Sequence, residues 1–214
     1  DITQRWVTLT GTRSYDGTTT ADSSDLVISN LVAGETLGLT GNGTVASKNV
    51  GSNKAITDVS LTLTDGSGLA SNYTIGTKTF NITQQAITID GSKIYDGNTS
   101  VSSTDISTFN GLALTETLNI SGSGTVTAPQ VGTNKTLILG TLAFADGTNG
   151  GEVSNYSLAS GTFNVTARPI TLSGSRVYAG TTTVANTDLT TFTNIVSGEV
   201  LALTGSGTVA DQNV

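Results

Sequence analysis

The 214-residue chain contains no cysteine, no histidine and no methionine. Without cysteine there are no disulfide staples and no thiol chemistry. That absence does not by itself place a protein in the cytosol, since a chain exported unfolded is also well served by lacking thiols. Without histidine or cysteine, the usual catalytic triads and dyads lack their base or nucleophile. Paired carboxylates could still cut glycosides, but every prominent acid here occupies a repeated scaffold position. The residues therefore point away from an enzyme, and no cofactor is called for.

Cations are also scarce. Nine basic residues face sixteen acidic ones, for a net charge of −7. The basic residues are scattered singly, and replacing phosphate counterions needs clustered cations, so nucleic acid is not an expected partner. No apolar run approaches the roughly 20 residues that span a bilayer. No membrane insertion is expected of this segment, and any export signal or anchor is expected outside it.

What the chain has is repetition. Ser14-Tyr15-Asp16-Gly17-Thr18-Thr19-Thr20 returns as Ile94-Tyr95-Asp96-Gly97-Asn98-Thr99-Ser100, and again as Val177-Tyr178-Ala179-Gly180-Thr181-Thr182-Thr183. Gly41-Asn42-Gly43-Thr44-Val45 keeps the same beat with Gly122-Ser123-Gly124-Thr125-Val126 and Gly205-Ser206-Gly207-Thr208-Val209. A period of about 80 residues divides the chain into domain-sized units, each near the lower end for an independent core. The expected division is residues 1–85, 86–168 and a partial third repeat over 169–214. With no initiator Met and a third copy that breaks off, the chain reads as a piece of a longer array.

Apolar residues alternate with small polar ones, as half-buried strands require. Val7 and Leu9, Leu37 and Leu39, Val59, Leu61 and Leu63, and Phe80 and Ile82 mark the first copy. Ile87 and Ile89, Leu118 and Ile120, Leu137 and Leu139, and Phe163 and Val165 mark the second. Asp16-Gly17, Asp65-Gly66, Asp96-Gly97 and Asp146-Gly147 read as turns with glycine at positive φ. The expected fold class is all-β, with tandem β-sandwich-like repeat modules arranged as an elongated rod. The joints Thr83-Gln84-Gln85-Ala86 and Thr166-Ala167-Arg168-Pro169 are too short for a flexible linker. A partial repeat of this size is rarely stable alone. It packs on its predecessor, is completed by a neighbouring chain, or belongs to a longer chain cut at that point.

The recurring site candidates are Tyr15, Asp16, Gly17, Tyr95, Asp96, Gly97, Tyr178 and Gly180, each triplet preceded by a cation: Arg13, Lys93 or Arg176. Asn72-Tyr73 and Asn155-Tyr156 form a second recurring pair. The structural reading makes each Tyr a strand-end plug, the Asp-Gly a turn, the cation its partner and the Asn a turn-closing side chain. The functional reading makes each Tyr a contact for sugar or protein. Ala179 removes the acid from the third copy, so a catalytic or metal role would be lost there while a turn survives. Glu35, Glu116 and Glu199 recur before apolar strand residues and read as solvated outward positions. Asp22 to Asp25 and Asp146 to Glu152 gather oxygen donors but match no standard calcium loop, so no metal is assigned. Lys54 or Lys135 could in principle crosslink to Asn72 or Asn155, but each lysine follows an expected turn, which favours exposure.

The order basic-x-Tyr-Asp-Gly-Thr-Thr-Thr, Gly-x-Gly-Thr-Val, Lys48-Asn49-Val50-Gly51 and Ser71-Asn72-Tyr73 resembles the YDG repeats of large filamentous-haemagglutinin-like, two-partner-secreted surface adhesins of Gram-negative bacteria. The second copy departs at Ala128-Pro129-Gln130, the third at Ala179. The resemblance implies an extracellular, cell-surface module serving as the stalk or fibre of an adhesin or biofilm matrix protein. It supplies no catalytic residues. The partners it implies are further repeats of the same protein, with self-association into fibres. The alternative function is a glycan- or host-protein-binding module.

Overall fold

The computed structural model describes residues 1–214 apart from Val59, Gln212, Val214 and the side chain of Asp58, so the alternation expected at Val59 lies outside the described residues. The fold is all-β. The first unit runs through β1 (Arg5–Ser14), β2 (Thr20–Asp22), β3 (Leu26–Ser29), β4 (Leu37–Thr40), β5 (Asn42–Val45), β6 (Gly51–Asp58), β7 (Thr62–Asp65) and β8 (Tyr73–Thr83). The second repeats it as β9 (Gln85–Ile94), β10 (Ser100–Ser102), β11 (Ile106–Asn110), β12 (Leu118–Ser121), β13 (Ser123–Val126), β14 (Gly132–Ile138), β15 (Ala143–Asp146) and β16 (Tyr156–Thr166).

Each unit curls one six-stranded sheet into a half-barrel and adds a two-stranded hairpin. The sheet orders are β2-β5-β6-β8-β1-β3 and β10-β13-β14-β16-β9-β11, with β4–β7 and β12–β15 as the hairpins. The alternating residues become the core: Val7, Leu9, Phe80 and Ile82 are buried in the first unit, and Ile87, Ile89, Phe163 and Val165 in the second. Removing each such side chain from water contributes about 1.5–3 kcal/mol before entropy is counted.

One pairing sets the direction of the whole chain. The first and last strands of each unit lie side by side and parallel, from Arg5 beside Tyr73 to Ser14 beside Thr83, and from Gln85 beside Tyr156 to Ile94 beside Thr166. A chain whose first and last strands run parallel enters a unit at one end and leaves at the other. Only Gln84 separates β8 from β9, so the second unit begins where the first one ends. The end-to-end order is thus a property of strand polarity.

The Tyr-x-Gly turns form as expected, with Gly17, Gly97 and Gly180 at φ of 81°, 80° and 67°. The other Asp-Gly pairs do not. Gly66 and Gly147 are absent from the positive-φ residues. Their glycine is needed for space instead, since a Cβ would lie 2.4 Å from the Thr36 carbonyl oxygen and 2.0 Å from that of Thr117. The preceding aspartates accept from the first amides of short 3-10 turns, those of Ala70 and Val153, at 2.7 and 2.8 Å.

Residues 169–214 carry β17 (Thr171–Ser173), β18 (Thr183–Ala185), β19 (Thr191–Thr193) and β20 (Ser206–Thr208), paired as β17–β19 and β18–β20. These correspond to β9–β11 and β10–β13. No strand takes the place of β16 here among the described residues. Leu172 and Val209 are consequently exposed, whereas their counterparts Ile89 and Val126 are buried.

A candidate functional site at the joint between units

Among the described residues, the buried polar side chains Glu116 and Asn155 both lie where the first unit meets the second. Tyr15 sits just beyond β1, its amide bonded to the Thr83 carbonyl at 2.9 Å, so the end of β8 holds it at the tip of the unit. From there its hydroxyl donates to Glu116 Oε1 at 2.6 Å. Tyr156, at the start of β16, donates to Glu116 Oε2 at 2.6 Å, and Lys48 Nζ bonds Glu116 Oε1. One carboxylate of the second unit thereby receives three donors, two of them from the first. The Tyr15 and Tyr156 rings meet edge to face, with centroids 5.4 Å apart.

A second group of bonds lies alongside. Asn155 is wholly buried; its Oδ1 accepts from the Val50 amide at 2.9 Å and its Nδ2 donates to Asn49 Oδ1 at 3.1 Å. Asn49 Nδ2 donates to Glu152 Oε2 at 2.8 Å, and the linker residue Gln84 donates to the Ser154 carbonyl at 3.2 Å. Apolar contact closes the site. Gly17 lies against Ala113 and Leu114, and a single core cluster contains Leu9 and Tyr15 together with Ala113 and Tyr156.

Burial alone would raise the Glu116 carboxyl, but hydrogen bonds from Lys48, Tyr15 and Tyr156 outweigh it and hold the group below the usual carboxylate range. Burial raises both tyrosines, and the adjacent Glu116 raises them further. Lys48 is raised chiefly by its bond to Glu116. The cluster is therefore a charged Lys–Glu pair with two neutral tyrosine donors. Charge-assisted bonds of this kind are among the stronger ones available to a protein.

The recurring residues are divided between turns and joints. Asp16 accepts from the Thr18 amide at 2.8 Å and pairs with Arg13; Asp96 accepts from the Asn98 amide at 3.1 Å and pairs with Lys93 at 2.8 Å. That is the turn chemistry read from the sequence. Tyr95 bonds Glu199 of the partial third repeat, and Gly97 lies against Val196, so the second joint follows the plan of the first. The partial repeat thus packs on its predecessor. Tyr178, beside the Gly180 turn, is 58% exposed. Tyr73 at the opposite end is buried, with its hydroxyl on Glu35, while Asn72 is exposed.

Two expectations are corrected. Glu116 is no solvated outward position: it is 5% exposed, because the end of the preceding unit covers it with donors. Asn155 closes no turn of its own, because its side chain is spent on the preceding unit. Sequence reasoning met Lys48 and Asn49 only as part of a recurring motif and Glu152 only as a calcium candidate, and gave none of them a contact between units. The available signal was the joint recurrence of the glutamates with the tyrosines. Two of the four crosslink candidates are otherwise engaged: Lys54 Nζ turns to the Ser47 carbonyl at 3.3 Å, and Asn155 is committed to Val50 and Asn49. Of the calcium candidates, Asp146 is engaged by the Val153 amide, and among the described residues no group of three or more acids gathers to hold a metal ion.

Fold and site together define a tandem-repeat all-β protein whose successive units are bolted end to end through a buried Tyr–Glu–Tyr–Lys cluster. The YDG domain matches it twice, over residues 2–81 and 77–163, and the chain belongs to that family. Searches of curated proteins and of solved structures found no match to the chain.

Proposed function

We propose that this chain is a structural segment, a stalk or fibre, of an extracellular bacterial adhesin or biofilm matrix protein. Its work is mechanical: it sets reach by adding units end to end and keeps them aligned. The observation that carries this reading is the joint. A one-residue linker combined with a partly buried ion pair, two tyrosine bonds and a shared apolar cluster resists bending at the place where a string of beads would bend. Parallel first and last strands then convert each added unit into length, about 33 Å for a ten-residue strand.

The runner-up, a glycan- or host-protein-binding module built on the repeated tyrosines, needs those rings on an open face. Tyr15, Tyr73 and Tyr156 are instead buried at unit ends, which favours the mechanical reading. Small-angle scattering on the full chain tests it. A pair-distance distribution skewed to long vectors, with a cross-section one unit wide, is expected. A symmetric distribution typical of a compact globule overturns it.

A further inference from the structure

The chain has a single tryptophan, and it is not in the core. Trp6 stands on β1 beside the buried Val7, and it is 67% exposed. Its place is a built one. Trp6 pairs with Thr74 on β8, and an irregularity in the pairing after Val7 brings Gly76 beneath the ring. A Cβ on Gly76 would lie 2.7 Å from the ring carbon Cε3 and 3.3 Å from the Val7 carbonyl oxygen, so glycine lets the ring lie against the sheet. Asn30 fixes the backbone below: its Nδ2 donates to the Trp6 carbonyl at 2.7 Å, while Arg5 donates to its Oδ1 at 2.9 Å. Covering a glycine of the neighbouring strand uses one face of an aromatic ring. The other face is open.

The ring heads a strip of hydroxyls. Side chains alternate along a strand, so Thr8, Thr10 and Thr12 share its face while Val7 and Leu9 point into the core. Neighbouring strands add Ser29 beside Thr8, Thr79 beside Thr10 and Asn81 beside Thr12. An open hollow bordered by Thr10, Thr12, Asp25 and Asn81 ends the strip. From Trp6 to Thr12 the strand spans about 20 Å. The second unit supplies the comparison. Ala86 holds the place of Trp6 and Ala159 that of Gly76, so ring and glycine are missing together. Ala86 stays exposed although the first unit precedes it, so a joint does not cover this face.

We propose that the outer face of β1 binds a neutral polysaccharide, with one sugar ring stacked on Trp6 and the next ones laid along Thr8 to Thr12. The C–H face of a pyranose carries partial positive charge, which meets the negative face of the indole. Sugar hydroxyls both donate and accept, as do the threonine and asparagine side chains of the strip. The core of a protein interface is apolar, whereas this ring is bordered by hydroxyls. A polyanion would approach a chain of net charge −7. The site uses none of the buried tyrosines and does not rest on the stalk reading, so failure of either leaves the other to its own test.

The sole tryptophan is its own reporter. Titration of the full chain with cellohexaose, laminarihexaose or chitohexaose is expected to give, for at least one, a saturable blue shift of emission and protection from acrylamide quenching. Half-saturation is expected between about 10 μM and 1 mM. Heparin, the anionic control, is expected to give neither. Calorimetry reads the variants, with one site per chain expected in wild type. W6A should lose binding, and T10V combined with T12V, which exchanges hydroxyls for methyls, should weaken it roughly tenfold. Unchanged circular dichroism in both variants separates these losses from unfolding. Silence with all three sugars, a response to heparin instead, or two sites per chain overturns the proposal. So does either variant binding like wild type.

Discussion

The Tyr15 hydroxyl and the Glu116 carboxylate meet at 2.6 Å although 101 residues separate them in sequence. They belong to different copies of the repeat, so the bond is a statement about the joint and not about either fold. Removing the carboxylate by E116A leaves two buried hydroxyls and one ammonium without their acceptor. The expected loss is about 2 kcal/mol or more, read from denaturant midpoints of the full chain. E35A, at the uncovered counterpart, is expected to give a clearly smaller loss. Equal losses at the two positions would show that burial in the joint adds nothing.

Asn155 and Asn72 form a second matched pair, each set in a Ser-Asn-Tyr run and different in cover. N155A strands the half-buried Val50 amide and opens a gap beside Asn49, at an expected cost of about 1–3 kcal/mol. N72A touches a solvated side chain and is expected to shift the midpoint little. Thermal or denaturant unfolding of both variants checks this.

Much of each unit could be read from the chain. Alternation at Val7 and Leu9 or Phe163 and Val165 marks strands because a pleated sheet with one buried face imposes period two. Positive φ at Gly17 and Gly97 follows from Asp-Gly turn chemistry. The joint was not legible for a physical reason. A repeat aligns each residue with its own copy, whereas Tyr15 bonds a residue of the next copy. Glu116 looks like any strand-flanking acid until the neighbouring unit buries it. The parallel pairing of β1 with β8 was equally silent, since alternation is the same for parallel and antiparallel neighbours. Gly66 was misread because a dipeptide carries no information about the Thr36 carbonyl that excludes a Cβ.

The joint is expected to hold only within a pH window. Glu116 is depressed below its ordinary value of 4.5, so its contribution is present above that value and is lost as pH falls through the lower folded one. Tyr15 and Tyr156 are raised above 10.0, so their contribution is full below that value and is lost as pH rises through the higher folded one. Denaturant midpoints of the full chain should be highest between those limits, falling as pH drops below 4.5 and as it rises above 10.0. An acid limb unchanged in E116Q would assign that dependence to other carboxylates.

Gly11 and Gly91 occupy matching places in β1 and β9. A Cβ on Gly11 would lie 2.6 Å from the Asp25 carbonyl oxygen and from Phe80, and one on Gly91 would lie 2.5 Å from that of Asp105 and 2.8 Å from Phe163. Backbone on one side and a core ring on the other leave nothing to yield cheaply. G11A and G91A are each expected to destabilise their unit by about 1–3 kcal/mol. If unfolding resolves two transitions, each variant should lower one of them.

The second joint differs from the first at one informative place. Lys48 sits on Glu116, but the corresponding residue of the second unit is Pro129, so Glu199 receives Tyr95 without that lysine. Both positions lie in the same short connection between equivalent strands, β5 to β6 and β13 to β14. P129K should therefore place an ammonium beside Glu199 and copy the Lys–Glu–Tyr arrangement of the first joint. The site is more exposed than its counterpart, so the gain is that of a partly solvated pair, up to roughly a fivefold slowing of local opening. Amide hydrogen exchange across residues 191–208 measures it directly. The same substitution combined with E199Q should return exchange to the wild-type rate or faster. If P129K slows exchange equally with and without the Glu199 charge, the effect comes from relaxing the proline backbone, and the lysine is not what distinguishes the two joints.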